Sequence, residues 1–540
     1  MMLSAVLWTS MVFGFAETSA ADQVSYQDLS VEVEGRLIDT RMVQVTGDDR
    51  LELVLVTLAS VGGKREVLIY THPEGSKNTD AYAPVPWRKI SVFDDVVAYT
   101  FANVRSEPGQ ELVFFTSKGV YSMSPKIESL RGNISRLIDH ELVYEVADVT
   151  QLPYWKYVLP GVRDLLVVPG ASTFSVWGPS ADRPREYEQQ TEFSEFARAG
   201  SDHEDVEFDG DESTSISVGN GGASIRNISA AGRILVESGT AFGYAMLSYN
   251  RKYAAPGLGD VNGDGLTDVV VLGRTRVGIY LATVNGLPSK PSRIESLPEY
   301  LLTEGAIPPN ARFDLVDFDD DGDADLIFRN SKENEESAIA ADIVHLLFLR
   351  NTGQRMIPAK PDQLMKFESL SMRSSLADVD ADGTIDLVIR KFELPSLLDA
   401  VTSLEFTQTT MFFPGTGAGS GRVFQRQPRM KSERLYDADT LSNAISRKSL
   451  AFDFSGDGLA DMVEVDLDGH VFVERVEYES GFFSGESWTL EQSPWKRFET
   501  KGSIASLVVD DFNNDGLGDV ISSRRDGVLL LMSKRPRKSR

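Results

Sequence analysis

The sequence predicts an all-β fold, a β-propeller of four-stranded blades, eight in number, or seven if one weak N-terminal repeat is only an echo. Three observations carry this expectation. A thirteen-residue acidic pattern recurs five times in the C-terminal half and three more times, degraded, upstream. The spacing of the copies suits one blade each. The text between them reads as short β-branched runs, with no alternation of strands and long helices.

The full copies are GDVNGDGLTDVVV from Gly259, VDFDDDGDADLIF from Val316, ADVDADGTIDLVI from Ala377, FDFSGDGLADMVE from Phe452 and DDFNNDGLGDVIS from Asp510. Counting from the first conserved-pattern Asp, oxygen-bearing side chains stand at positions 1, 3, 5 and 9, Gly stands at position 6, and an apolar run follows position 9. A hard cation explains that spacing. Ca²⁺ takes roughly six to eight oxygens at about 2.3–2.6 Å, and a tight loop supplies them from alternate side chains and a backbone carbonyl. The expected ligand sets are Asp260, Asn262, Asp264 and Asp268; Asp317, Asp319, Asp321 and Asp325; Asp378, Asp380, Asp382 and Asp386; Asp453, Ser455, Asp457 and Asp461; and Asp511, Asn513, Asp515 and Asp519. The carbonyl of Asp323 illustrates the expected backbone ligand. Gly265, Gly322, Gly383, Gly458 and Gly516 supply the sharp turn.

An EF-hand opens in the same way but needs a bidentate Glu at position 12 and flanking helices. Here position 12 is Val271, Phe328, Ile389, Glu464 or Ser522, and β-branched runs follow. One isolated copy would read equally well as turn-forming Asp and Asn. Five copies with the same Gly and the same ninth Asp read as about five calcium sites.

The weaker copies are QVTGDDRLELVLV from Gln44, NVRSEPGQELVFF from Asn103 and a split one that begins at Asp148 and resumes at Gly161. The first two carry Glu52 and Glu111 at position 9 and lack the turn glycine; all three are expected to keep the strand and lose the metal. First positions fall at 44, 103, 148, 260, 317, 378, 453 and 511, and most intervals suit four short strands. After the last copy too little chain remains for a whole blade. The stretch VSYQDLSVEVEGRLI from Val24 is therefore expected to supply the missing outer strand, so that both termini share one blade and hide its edges.

Residues 1–21 carry an apolar stretch from Leu3 to Ala16 and then small residues, and resemble a secretory signal peptide without its usual basic start. The expected organisation is this signal peptide, one propeller domain over 22–533 with an acidic insertion near 181–230, and a basic tail over 534–540. No later apolar run reaches membrane-spanning length. With no cysteine, disulfides, thiol catalysis and cysteine metal sites are excluded, and calcium is the natural staple of an exported chain, periplasmic or at the cell surface. The formal charge of −27 argues against nucleic acid and anionic membranes as partners, and five divalent ions would reduce it to −17.

Three stretches break the repeat. Glu186 to Glu212 holds eleven acidic residues with Arg198 as the lone base, including a damaged loop from Asp205, and reads as a solvated loop. Phe392 to Phe406 has helical spacing of Leu394, Leu397, Leu398, Val401 and Leu404. The Gly-rich FFPGTGAGSGRVF from Phe412 reads as a hairpin turn.

DxDxDGxxDLV units at blade spacing resemble the FG-GAP/VCBS repeats of bacterial exported proteins and of the integrin α-subunit propeller. The resemblance covers about residues 24–533 and is specific at the five full copies. It implies a propeller that binds calcium within its blades and presents surfaces to proteins or glycans. Catalytic signatures are sparse: His72, His140, His203, His345 and His470 are dispersed, and no GxSxG or HExxH occurs. The expected function is a calcium-stabilised, exported binding or scaffold module for a protein or surface glycan. The alternatives are a carbohydrate-active enzyme, a polysaccharide lyase or glycoside hydrolase, with paired carboxylates on one face, and an adhesin fragment.

Overall fold

Eight four-stranded antiparallel sheets stand in a ring in the computed structural model. The structure describes residues 24–535 apart from 49, 61, 74–81, 129–132, 140–143, 147–149, 170–173, 184, 194–215, 219–222, 226–233, 239–244, 248–255, 309–310, 334–341, 370, 394–404, 418–420, 438–447, 467–468, 482–484, 492 and 501–503. The blades occupy residues 36–91, 96–138, 158–192, 257–296, 312–369, 371–437 and 448–498, and for the eighth 504–534 together with Ser25–Glu32. Eight blades, not seven, are therefore present.

Each blade is buried on both faces, which is why its strands read as unbroken apolar runs. In the strand Asp268–Leu272, Val269 and Val271 pack toward the preceding blades while Val270 and Leu272 pack toward the next. Alternate side chains of a strand point to opposite faces, so a single strand feeds two seams. Hydrophobic clusters fill every seam: blades 1–2, then 2–3–4 as one continuous cluster, 4–5, 5–6, 6–7, 7–8 and 8–1. Burying one such Val or Leu contributes about 1.5–3 kcal/mol, and the seams close the circle without a special joint.

The covalent gap is bridged as expected from the termini. Ser25–Glu32 pairs antiparallel with the last strand, from Ser25 opposite Lys534 to Glu32 opposite Gly527. The Tyr26 hydroxyl also donates to Phe454 O at 2.6 Å in the seventh blade. The sheet edge that an open eighth blade would expose is thereby covered.

The third blade differs from the split reading. Its first strand is Val158–Leu159, paired so that Leu165 falls at the ninth position, and Asp164 stands at the eighth, its N–H donating to Asn103 O of the preceding loop at 2.8 Å. Residues 151–155 instead run along the first strand of the second blade: Trp155 N donates to Tyr99 O at 2.7 Å and Tyr99 N to Pro153 O at 3.0 Å. Tyr144–Val146 pairs in parallel with Ile234–Ser238, outside the blades. Asp148 lies outside the described residues.

Strands claim part of two other breaks. Tyr187–Glu192 is the outer strand of the third blade, and Asp386–Glu393 and Glu405–Phe413 bracket the expected helix. The expected signal peptide over residues 1–21, the damaged loop from Asp205, residues 394–404 and the end of the basic tail lie outside the described residues. The Gly-rich stretch joins the third and fourth strands of the sixth blade, with Gly415 bridged to Phe424. Among the described residues no helix is long and apolar enough to cross a membrane.

Candidate metal centres

The five full loops join the first strand of a blade to its second, and each ninth-position Asp opens that second strand. First strands touch across the seams of blades 4 and 5, 6 and 7, and 7 and 8. The loops of blades 4 to 8 therefore all leave one face of the ring.

Local hydrogen bonds set the loop shape identically in all five. The first-position carboxylate accepts the backbone N–H of the turn glycine, as from Gly265 to Asp260 at 2.6 Å and from Gly322 to Asp317 at 3.0 Å. The same bond joins Gly383 to Asp378, Gly458 to Asp453 and Gly516 to Asp511. The fifth-position carboxylate accepts the N–H two residues on, as from Leu266 to Asp264 at 2.9 Å. The turn glycines lie at φ between 81 and 98°. Position 4 is also left-handed, at Gly263, Asp320, Ala381, Gly456 and Asn514, with φ from 55 to 81°. That requirement is hidden in the sequence because four residue types, Gly, Asp, Ala and Asn, satisfy it.

The ninth-position residues, Asp268, Asp325, Asp386, Asp461 and Asp519, are fully buried. One oxygen accepts the backbone N–H of position 2: Val261 to Asp268 at 2.9 Å, Phe318 to Asp325 at 3.2 Å, Val379 to Asp386 at 2.8 Å, Phe454 to Asp461 at 2.8 Å and Phe512 to Asp519 at 2.9 Å. In four loops the other oxygen accepts a second N–H, from Ala282, Asn351 or Gly415 just beyond the third strand, or from Ser533 near the end of that strand in blade 8. The residue expected as a ligand is thus also a clamp. Glu52 and Glu111 repeat the bond to position 2, accepting from Val45 N at 2.6 Å and Val104 N at 3.1 Å.

Burial, reinforced by the other acidic side chains, pushes these carboxyls upward. Asp325 and Asp461 reach about 8, Asp386 and Asp519 about 7, and Asp268 about 6. The backbone N–H bonds oppose the rise without cancelling it.

Three carboxylate oxygens converge within 4.8 Å in two loops: Asp317, Asp319 and Asp325 in blade 5, and Asp378, Asp380 and Asp382 in blade 6. Asp321 and Asp386 stand in the same loops outside those triads. In the blade 4 loop Asn262 donates to Asp264 at 3.0 Å, and in blade 8 Asn513 accepts from Asp515 N at 3.0 Å. In blade 7 Ser455 Oγ and Asp461 Oδ1 are buried and have no hydrogen-bond partner among the described residues; the same holds for Asp319 Oδ1 and Asp380 Oδ1. Buried oxygens without a donor cost about 1–3 kcal/mol each. An oxygen-only set with open acceptors inside a tight loop suits a hard divalent cation.

The loops also interlock. The position 8 N–H of one loop donates to a carbonyl at position 1 or 2 of the loop before it: Ala324 to Asp260 at 2.6 Å, Ala460 to Val379 at 3.0 Å, Gly518 to Asp453 at 2.7 Å and Gln110 to Gln44 at 2.9 Å. Small residues at position 8 let neighbouring loops approach, a signal present in Ala324, Ala460 and Gly518 but legible only once the blades are adjacent.

A second polar cluster lies in the seam of blades 6 and 7. Lys448 Nζ meets Glu464 at 2.6 Å, Arg434 bridges Glu464 and Glu474, and Tyr436 donates to Glu464 at 2.9 Å. Burial lowers Lys448 to about 8. The adjoining void of about 10 Å³ admits at most one water, so the cluster is a buried ionic seam and not a substrate site. A groove of about 720 Å³ lies between blades 5 and 6 on the loop face and is lined by Leu364, Lys366, Phe367, Arg422 and Arg426 among others.

Residues 260–328 match the family model described as FG-GAP-like repeat. That span begins at the first Asp of the blade 4 loop and ends in the second strand of blade 5. No curated protein matches the chain. Similar solved structures include an Agrocybe aegerita lectin, described for recognition of non-reducing terminal N-acetylglucosamine, at 12% identity over 93% of this chain and 100% of that one, with a TM-score of 0.36. The Dos1 propeller aligns at 9% identity over 94% of each chain with a TM-score of 0.36. Sqt1 from Chaetomium thermophilum aligns at 9% identity over 94% of this chain and 98% of that one, with a TM-score of 0.39. Likeness at this level carries no argument about function.

Proposed function

We propose that this chain, an FG-GAP repeat β-propeller, is an exported, calcium-stabilised binding module that presents a rigid ring face to a protein or surface glycan. The observation that carries the reading is the set of five identically built loops on one face, with converging carboxylates in two and open buried oxygens in three. The role of calcium is structural. It would be held by oxygens at positions 1, 3, 5 and 9 and would neutralise clusters that otherwise repel. Export places the chain where calcium is plentiful. The contact surface is the loop face, and its groove between blades 5 and 6 combines exposed Leu364 with the cationic Lys366, Arg422 and Arg426.

The deciding experiment is a mass measurement of bound metal on the chain from residue 22 onward, with thermal unfolding in calcium and in excess chelator. About five ions and a large chelator-induced fall in Tm are expected. No ion and an unchanged Tm would remove the calcium reading. Glycan arrays and envelope-protein binding, each run in calcium and in chelator, then identify the partner class.

A further inference from the structure

Position 3 divides the five loops into two groups. It is Asp in blades 5 and 6, Asp319 and Asp380, and a neutral oxygen donor in blades 4, 7 and 8, Asn262, Ser455 and Asn513. The structure carries a matching asymmetry. Arg350 Nε lies 2.8 Å from Asp319 Oδ2, and Arg429 is paired with Asp380 Oδ2. Among the described residues no salt bridge reaches a carboxylate of the other three loops. At positions 1, 3, 5 and 9 alone, four carboxylates with one guanidinium or three carboxylates without one leave the same formal charge of −3, and the blade 5 loop carries Asp320 and Asp323 in addition.

The pairing consumes one oxygen and leaves the other. The Asp319 and Asp380 side chains are only 8% and 3% exposed, and the Oδ1 of each has no hydrogen-bond partner among the described residues. Both carboxylates belong to the converging triads. Each arginine is also anchored on the following blade: Arg350 Nη2 donates to Arg422 O at 2.7 Å, and the Arg429 guanidinium lies over the Trp488 ring at 5.6 Å. A guanidinium tied down at its far side fixes the carboxylate it holds.

We propose that Arg350 and Arg429 are positioning residues for cation binding in the blade 5 and blade 6 loops. Each takes one oxygen of the third-position carboxylate, aims the other at the ion, and cancels the charge by which Asp exceeds Asn or Ser at that position. Outer partners of this kind typically govern about 10–100-fold in metal affinity. The inference rests on the calcium reading above and adds to it a division of labour among loops.

The test follows calcium retained by the full chain, counted by native mass spectrometry across a series of buffered free-calcium levels, for the wild type, Arg350→Ala, Asp319→Asn and the double variant. Arg350→Ala is expected to weaken one site about tenfold or more. The double variant, which recreates the neutral third position of blade 4, is expected to recover that ion. In chelator, Arg350→Ala is expected to melt below the double variant, because it alone strands a buried carboxylate. Unchanged or tighter binding in Arg350→Ala would overturn the proposal, since an arginine that competed with the ion would behave that way. If Arg350→Ala does not fold, the double variant decides: failure to recover the ion overturns the proposal equally. A wild type that retains no calcium removes the underlying reading, whereas a wild type with its ions and an indifferent Arg350→Ala removes only this inference.

Discussion

Asp268 Oδ1 accepts the backbone N–H of Ala282 at 2.6 Å, fourteen residues along the chain, while its Oδ2 accepts Val261 N–H at 2.9 Å. Asp519 and Ser533 repeat the relationship at 2.6 Å and the same separation. The ninth-position carboxylate therefore ties the loop before its strand to the far end of the next strand, with or without a metal.

That double role separates two substitutions in one loop. Asp386→Ala removes the acceptor of Val379 N–H and Gly415 N–H, and is expected to cost about 2–4 kcal/mol in chelator and more in calcium, where a ligand is lost as well. Asp382→Ala, at an exposed position, is expected to lose one ion while changing the chelated Tm little. Melting curves of both variants in both buffers check this, and a chelated Asp386→Ala that melts like wild type would refute the clamp.

The backbone of the blade 6 loop yields a pair of opposite sign. Ala381 sits at φ 56°, a left-handed conformation that costs a residue with a Cβ about 1–2 kcal/mol. Ala381→Gly is expected to raise stability by about 1 kcal/mol. Gly383 lies at φ 83°, and a Cβ there meets nothing within 4 Å, so Gly383→Ala is expected to cost about 1–2 kcal/mol through the backbone alone. Denaturant titration of the two variants distinguishes them by direction.

Stability of the metal-free chain is expected to fall as pH rises. Burial raises five carboxyls from about 3.9 in an unfolded chain to about 6 at Asp268, 7 at Asp386 and Asp519, and 8 at Asp325 and Asp461. A group raised on folding contributes stability that is complete below its unfolded value and lost as pH climbs through its folded value. Tm in chelator should therefore decline between about pH 5 and pH 8.5. Saturating calcium favours the ionised forms and should flatten or reverse that slope. A chelated Tm that rises over this window would contradict the assignment.

The interlock between loops is expected to be sensitive to one methyl group. A Cβ on Gly518 would lie 2.5 Å from the Phe454 ring of the preceding loop, while Gly518 N–H donates to Asp453 O at 2.7 Å. Gly518→Ala is expected to cost about 1–3 kcal/mol by overpacking. The loss should appear in calcium and in chelator, since the collision is steric, and thermal melting of the single variant in both buffers measures it.

The repeat was legible because its causes are local. A turn that needs Gly at position 6, carboxylates that cap N–H groups two to five residues away, and an apolar run feeding two seams all leave their mark within thirteen residues of chain. The closing strand was legible too, since a propeller with an incomplete last blade must find a strand elsewhere, and Ser25–Glu32 was the remaining candidate. The split third copy was misplaced because nothing local says that residues 151–155 leave their own blade to pair with Tyr99.

Tertiary structure alone decided what meets across blades and across connections. Arg350 lies 31 residues from Asp319, and Arg429 lies 49 from Asp380. No periodicity links them, because each pairing depends on where a strand connection returns beside the first loop. The small residues at position 8 and the anchoring of Arg350 and Arg429 on the next blade likewise follow from the angle at which blades pack. Short-range hydrogen bonding writes the loop into the sequence, whereas the charge balance and rigidity of each candidate site arise from contacts that exist only after the ring has closed.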